Sequence, residues 1–117
     1  MMTMNDHEMY NLFSAAQDYQ RWTRTTAIYP SEAKHTYPAY ALAEEAGEVM
    51  GVLAKAARRG VPVPIESLTK ELGDVLWQVA RLADEYGIPL GSVFQTNIEK
   101  LTSRQARNVL EGSGDDR

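Results

Sequence analysis

From Met9 onward, apolar residues recur at intervals of three and four along nearly the whole chain, and the pattern breaks only where Pro or Gly falls. Met9, Leu12, Phe13, Ala16, Tyr19 and Thr23 keep this spacing. Leu42, Ala43, Ala46, Val49, Met50, Leu53, Ala54 and Ala57 keep it again, as do Leu68, Leu72, Val75, Leu76, Val79, Leu82, Ala83 and Tyr86. Val93, Phe94, Ile98 and Leu101 form a last, shorter set. Such spacing puts each set on one face of an α-helix, and no stretch alternates with the period of two that a strand requires. The chain is therefore expected to be all-α.

Local signals set the predicted helix ends. Asn5 followed by Glu8 reads as a capping box that starts a first helix over about 6–25. Pro30 and Pro38 bracket a loop, and Pro38 suits the first turn of a second helix that Gly60 terminates. Val61-Pro62-Val63-Pro64 cannot continue a helix and reads as a stiff connector. A third helix is predicted over 65–86 and a fourth over about 90–106, separated by Gly87 and Pro89. Connections this short make neighbouring helices antiparallel, as in a bundle.

At 117 residues the chain is one domain, with a helical body over 1–111 and a flexible polar tail, Gly112-Ser113-Gly114-Asp115-Asp116-Arg117. A body this small buries little apolar surface, so assembly into a homodimer or homotetramer is expected. The absence of cysteine excludes thiolate chemistry, and His7 and His35 alone leave little for a histidine-rich metal site. The net charge of −4 argues against holding long nucleic acid by bulk electrostatics. No apolar run is long enough for a membrane span, and Met1 to Glu8 lacks the pattern of a signal peptide, so a cytoplasmic address is expected.

The chemistry concentrates in two acidic segments, Glu44-Glu45-Ala46-Gly47-Glu48 and Glu71-Leu72-Gly73-Asp74. Glu45 with Glu48, and Glu71 with Asp74, are three residues apart and so share a helix face. One such pair is ordinarily a solvated surface. Two on consecutive helices, each beside an apolar seam, can converge into the hard oxygen donor set that Mg²⁺ prefers. Gly47 and Gly73 sit inside these segments at a cost of about 1 kcal/mol each in a helix interior, which points to close packing or close approach at a site. The Glu45 face continues to Lys55 and Arg59, where a long cationic side chain can meet a phosphate. Lys55, Arg58 and Arg59 also simply complement the negative end of the helix dipole. Asn97, Lys100 and Arg104 share a face of the fourth helix and carry phosphate-binding groups, although an exposed polar face has the same composition.

With these residues in view, the sequence resembles the MazG-like, all-α nucleoside triphosphate pyrophosphohydrolases. Glu44-Glu45-x-x-Glu48 followed by Glu71-x-x-Asp74 is similar to their acidic signature. Tyr37-Pro38-Ala39, Leu42-Ala43 and Ala46-Gly47-Glu48-Val49 resemble the second-helix block of the family, and Lys70-Glu71-Leu72-Gly73-Asp74-Val75-Leu76-Trp77 resembles its third. Asn97-x-x-Lys100-Leu101-x-x-Arg104 and the Gly112-Ser113-Gly114-Asp115 tail resemble the C-terminal block of short, single-domain members.

The resemblance implies a four-helix MazG-like bundle completed by oligomerisation. It implies cleavage of a (deoxy)nucleoside triphosphate to monophosphate and pyrophosphate with Mg²⁺, for which Mn²⁺ is a substitute. Glu45, Glu48, Glu71 and Asp74 match the metal ligands, and Glu44 matches an acid that orients or deprotonates the attacking water. Lys55, Asn97, Lys100 and Arg104 match positions near the substrate phosphates. Tyr19, Trp22, Tyr37, Tyr40 and Trp77 are candidates for stacking on a base, with Trp77 better suited to the core. Two alternatives stay open on the residues alone: a non-catalytic helical dimer that binds a cation or a basic partner, and a phosphoribosyl-ATP pyrophosphohydrolase activity on the same fold.

Overall fold

The structure, a computed structural model, describes residues 3–117; Met1 and Met2 of the polar N-terminal stretch lie outside the described residues. Four α-helices follow one another: α1 (Asp6–Thr23), α2 (Tyr37–Arg59), α3 (Ile65–Glu85) and α4 (Leu90–Ala106). Short 3₁₀ turns at Arg24–Thr26 and Ser31–Ala33 shape the long α1–α2 connection. No strand occurs among the described residues. No helix there is long and apolar enough to cross a membrane.

The helix ends follow local chemistry. The Glu8 N–H donates to Asn5 Oδ1 at 2.8 Å and the Asn5 N–H to Glu8 Oε2 at 3.0 Å, completing the expected capping box. At the end of α2, Gly60 adopts the left-handed conformation, φ 64°, and the Val61 N–H reaches back to the Ala56 carbonyl at 3.1 Å. The start of α4 has no side-chain cap of its own. Its free Leu90 and Gly91 N–H groups donate instead to Gln20 Oε1 (3.0 Å) and Gln17 Oε1 (2.8 Å) of α1.

The core lies between α1, α3 and α4. Ala16, Ala80 and Leu90 are buried there, with Tyr19, Val79, Val93 and Phe94 packed around them. Gln20, 2% exposed, also donates through Nε2 to the carbonyls of Ala80 (3.3 Å) and Ile88 (3.0 Å), tying α1 to α3 and to the turn that leads into α4. The α1–α2 connection is pinned to the C-terminal end of α3. Buried Arg81 donates to Tyr29 Oη, Thr23 Oγ1, Asp84 and Glu85, and the Trp77 indole N–H donates to Thr26 Oγ1 at 2.7 Å.

Helix α2 packs chiefly on α3 and leans on little else. The protomer is accordingly open: its radius of gyration is 16.9 Å, against about 13 Å for a compact domain of this length. Tyr40, Met50, Ile65, Leu72 and Leu76 on the α2–α3 hairpin remain exposed. The tail departs from expectation. Residues 112–117 fold back on α4, held by Arg104, Arg107 and Arg117, where composition predicts a free polar end.

Candidate active site

The stiff Val61–Pro64 connector turns the chain so that α3 runs back along α2. The C-terminal part of α2 and the N-terminal part of α3 consequently border one cavity, while Ala39 and Leu42 of α2 meet Val79, Leu82 and Ala83 of α3 at the other end. Ala41, Val49 and Ala56 are the buried residues that mark the α3-facing side of α2. Glu45 lies on that side, four residues from both Ala41 and Val49.

This placement brings Glu45, Glu71 and Asp74 together. One carboxylate oxygen of each lies within 4.8 Å of the others, with Glu45 and Glu71 half-buried and Asp74 exposed. No ion pair among the described residues involves these three, Glu44 or Glu48. Desolvation, then the charges of Asp74, Glu44, Glu71 and Glu48, pushes the Glu45 carboxyl above its ordinary range. Three uncompensated carboxylates at this separation form an all-oxygen donor set that fits a hard divalent cation.

The triad borders a cavity of about 460 Å³. Glu48 and Glu71 line its acidic side, and Lys55 and Arg59 from α2 and Ser67 from α3 line the rest of its polar surface, with Val52, Ala56 and Val61 as apolar wall. Glu71 belongs to both the triad and the cavity, so the cations face the space into which the acids open. Glu48 stands on the cavity wall, outside the closest acidic group, and Glu44 is exposed beside it.

The aromatic candidates are spread over the fold. Tyr19 and Trp22 of α1 lie with ring centroids 5.8 Å apart, and Trp22 is exposed. Burial, then the charge of Asp74, raises the Tyr19 phenol above its usual range. Tyr37 instead pairs with Tyr29, Tyr40 points to solvent, and half-buried Trp77 is fixed by Thr26.

Helical packing does not account for the two glycines. A Cβ placed on Gly47 or Gly73 would meet nothing within 4 Å, so close approach inside the protomer is not their reason. The fourth-helix candidates lie elsewhere. Asn97 and Lys100 line a separate groove of about 370 Å³ with Ile88, Ser92, Val93 and Thr96. Arg104 is buried beneath the tail, donating to the carbonyls of Gly114 and Asp115.

Arg59, read from the sequence as a continuation of the Glu45 face, lines the cavity with Lys55, although the helix dipole explains its position equally well. Gln78 carries no signal beyond its register, one turn past Asp74 on α3. It is 3% exposed, and its Oε1 has no hydrogen-bond partner. A buried acceptor left unpaired costs stability, and Gln78 belongs neither to the acidic triad nor to the cavity lining.

Residues 33–109 match the model of the MazG nucleotide pyrophosphohydrolase domain. The Gene 37 protein of Mycobacterium phage L5 is 38% identical over 109 residues, covering 85% of this chain and 96% of its own. The uncharacterized protein YvdC of Bacillus subtilis (strain 168) is 42% identical over 76 residues, covering 54% of this chain and 68% of its own. No solved structure matches.

Proposed function

The chain belongs to the MazG nucleotide pyrophosphohydrolase domain family, and from that premise we propose that it hydrolyses a (deoxy)nucleoside triphosphate to monophosphate and pyrophosphate with Mg²⁺. The observation that carries the reading is the Glu45–Glu71–Asp74 group, within 4.8 Å, opening onto the cavity that holds Lys55 and Arg59. Anionic ligands on one side and phosphate-binding cations on the other match a metal-bound triphosphate.

Glu45, Glu71 and Asp74 would hold the ion, with Glu48 completing the set from the cavity wall. Bound there, Mg²⁺, or Mn²⁺ in its place, lowers the pKa of water and neutralises phosphate charge. Glu44 accepts the proton of the water that attacks the α-phosphorus. As that bond forms, the bond from the α-phosphorus to the α–β bridging oxygen breaks, and pyrophosphate leaves with that oxygen. Lys55 and Arg59 grip the outer phosphates, so their charge stabilises the leaving group as it develops. The Tyr19–Trp22 pair offers an apolar face for the base. No glycine-rich Walker loop is present in the sequence, which disfavours the usual architecture for attack at the γ-phosphorus.

The test is a panel of nucleoside and deoxynucleoside triphosphates with products separated by chromatography. Monophosphate and pyrophosphate are expected with Mg²⁺ and little product with a chelator. Diphosphate and free phosphate as primary products would overturn the mechanism. Absence of turnover, with cation binding retained, would favour the non-catalytic alternative.

A further inference from the structure

The connector from α2 to α3 borders the candidate site without taking part in the proposed hydrolysis. Val61-Pro62-Val63-Pro64 carries no polar side chain. Val61 is 50% exposed, and Pro62 and Pro64 are exposed beside it. An exposed turn is ordinarily rich in Gly, Asn, Asp and Ser as well as Pro, so the valines call for another reason. Val61, Pro62 and Pro64 line the acid-bordered cavity, next to Val52 and buried Ala56 of α2, and together they make one apolar wall. The wall is fixed in place. Gly60 turns in the left-handed conformation, the Val61 N–H holds the Ala56 carbonyl at 3.1 Å, and each proline locks its own φ.

The order of groups along α2 places this wall beyond the phosphates. Glu45 and Glu48 come first, then Lys55, then Arg59, and the connector starts at Val61. From Glu48 to Arg59 the helix axis covers about 16 Å at 1.5 Å per residue. A pyrophosphate group, two tetrahedra sharing one oxygen, fills only the part of that length held by the cations. The cavity of about 460 Å³ also falls in the size range of sites for drug-sized ligands, about 300–1,000 Å³. Its far end is rigid and apolar, which gives nothing to the charged oxygens of a free terminal phosphate. An ester on that phosphate removes one negative charge and supplies an apolar group that the wall can cover.

Resting on the pyrophosphohydrolase reading, we propose that the cavity holds a substituted pyrophosphate group, so that the chain also hydrolyses nucleoside triphosphates esterified on the terminal phosphate by an apolar or aromatic group. The ester group lies on the wall of Val52, Val61 and Pro62, while Lys55 and Arg59 hold the two phosphates before it. The bond changes are those of the parent reaction. The oxygen of water bonds to the α-phosphorus, the bond from the α-phosphorus to the α–β bridging oxygen breaks, and its electron pair leaves on that oxygen. The proton released by the water passes to Glu44. The products are a nucleoside monophosphate and a pyrophosphate monoester whose ester bond is intact.

The test uses the full chain with Mg²⁺ and two probes of equal charge, methyl pyrophosphate and phenyl pyrophosphate, in calorimetry. The wild type is expected to bind the phenyl ester about tenfold more tightly, since its ring covers the wall. Val61→Asn should bring that ratio down several-fold, and Val61→Leu, which keeps the wall apolar, should retain it. Lys55→Gln should weaken both esters alike. In a parallel assay, the γ-phenyl ester of the best deoxynucleoside triphosphate substrate should yield deoxynucleoside monophosphate and phenyl pyrophosphate. Equal affinity for the two esters, no binding of either, a ratio that Val61→Asn leaves unchanged, or an inert γ-phenyl ester beside an active parent overturns the proposal. A phenyl preference without hydrolysis of any triphosphate overturns the hydrolytic reading and leaves a binding site. Hydrolysis of unsubstituted triphosphates without a phenyl preference does the reverse, so the two failures are distinguishable.

Discussion

Arg24 grips Asp84 with both arms of its guanidinium: Nε donates to Oδ2 and Nη2 to Oδ1, each at 2.8 Å. Buried Arg81 donates to the same Oδ2 at 2.7 Å. One carboxylate thus fastens the 3₁₀ turn after α1 to the C-terminal end of α3. The loop that leads into the acid-bearing α2 starts from this anchor.

The pH dependence of stability follows. The bond from Arg24, then that from Arg81, holds the Asp84 carboxyl below its usual range despite partial burial. A carboxylate with a depressed folded pKa contributes its full stability well above the unfolded value of about 3.9. That contribution is lost as pH falls below the unfolded value and through the folded one. Asp84→Asn should cost about 1–3 kcal/mol near neutral pH. The gap to wild type should narrow below about pH 4, as urea unfolding over a pH series will read.

Crowding of the acids predicts a gain in metal-free stability from substitutions that abolish activity. Glu45 sits among Asp74, Glu44, Glu71 and Glu48, and its raised pKa records that repulsion and its desolvation. Glu45→Gln removes about 0.2–0.5 kcal/mol of repulsion for each like-charged neighbour in contact. The melting temperature in chelator should rise by roughly 1–3 °C. Mg²⁺ is expected to stabilise the wild type and to lose that effect in this variant. Glu48→Gln should likewise abolish turnover while leaving the fold intact.

Gln20 offers a test of the core. Its amide serves two carbonyls and the Leu90 N–H from a buried position. Gln20→Ala leaves those groups without their partner and opens a void, so a loss of about 2–4 kcal/mol is expected. Denaturant unfolding at neutral pH measures it.

The helices were readable because each one is amphipathic with local end signals. The fourth ends at Ala106 as its pattern predicts, and Gly60 caps α2 in the left-handed conformation that its position predicts. The first helix gives way two residues early to a 3₁₀ turn, where Thr23 Oγ1 donates to its own backbone at Gln20 and the tertiary anchor at Arg24 takes over. The acids at Glu45, Glu71 and Asp74 were readable because a spacing of three fixes a shared face whatever the tertiary packing. Gln78 and Arg81 were not, because a polar residue on a helix is read as exposed until its neighbours across the fold are known. The tail illustrates the same limit: glycine-rich composition predicts freedom, and the bonds that tie it down join Arg104 of α4, Arg107 just after it and the tail's own Arg117 to backbone carbonyls that only the fold brings within reach.

The last prediction concerns assembly. Helix α2 rests on α3 alone for most of its contacts, and the protomer is wider than a compact domain of its length should be. Leu72 and Leu76, one turn apart on α3, are 51% and 41% exposed, and Met50 on α2 is 57% exposed. Apolar surface on a hairpin whose α2 packs on α3 alone is what a second copy would cover, turning two hairpins into one four-helix core. A dimer, or a tetramer of such dimers, is therefore expected at micromolar concentration by light scattering. Leu72→Glu should shift the population to monomer, since its charge would have to be buried unpaired at the interface. The acidic triad lies on the same hairpin, so the variant should also lose hydrolysis. A wild-type chain that remains monomeric at these concentrations would show that the open hairpin is stable by itself.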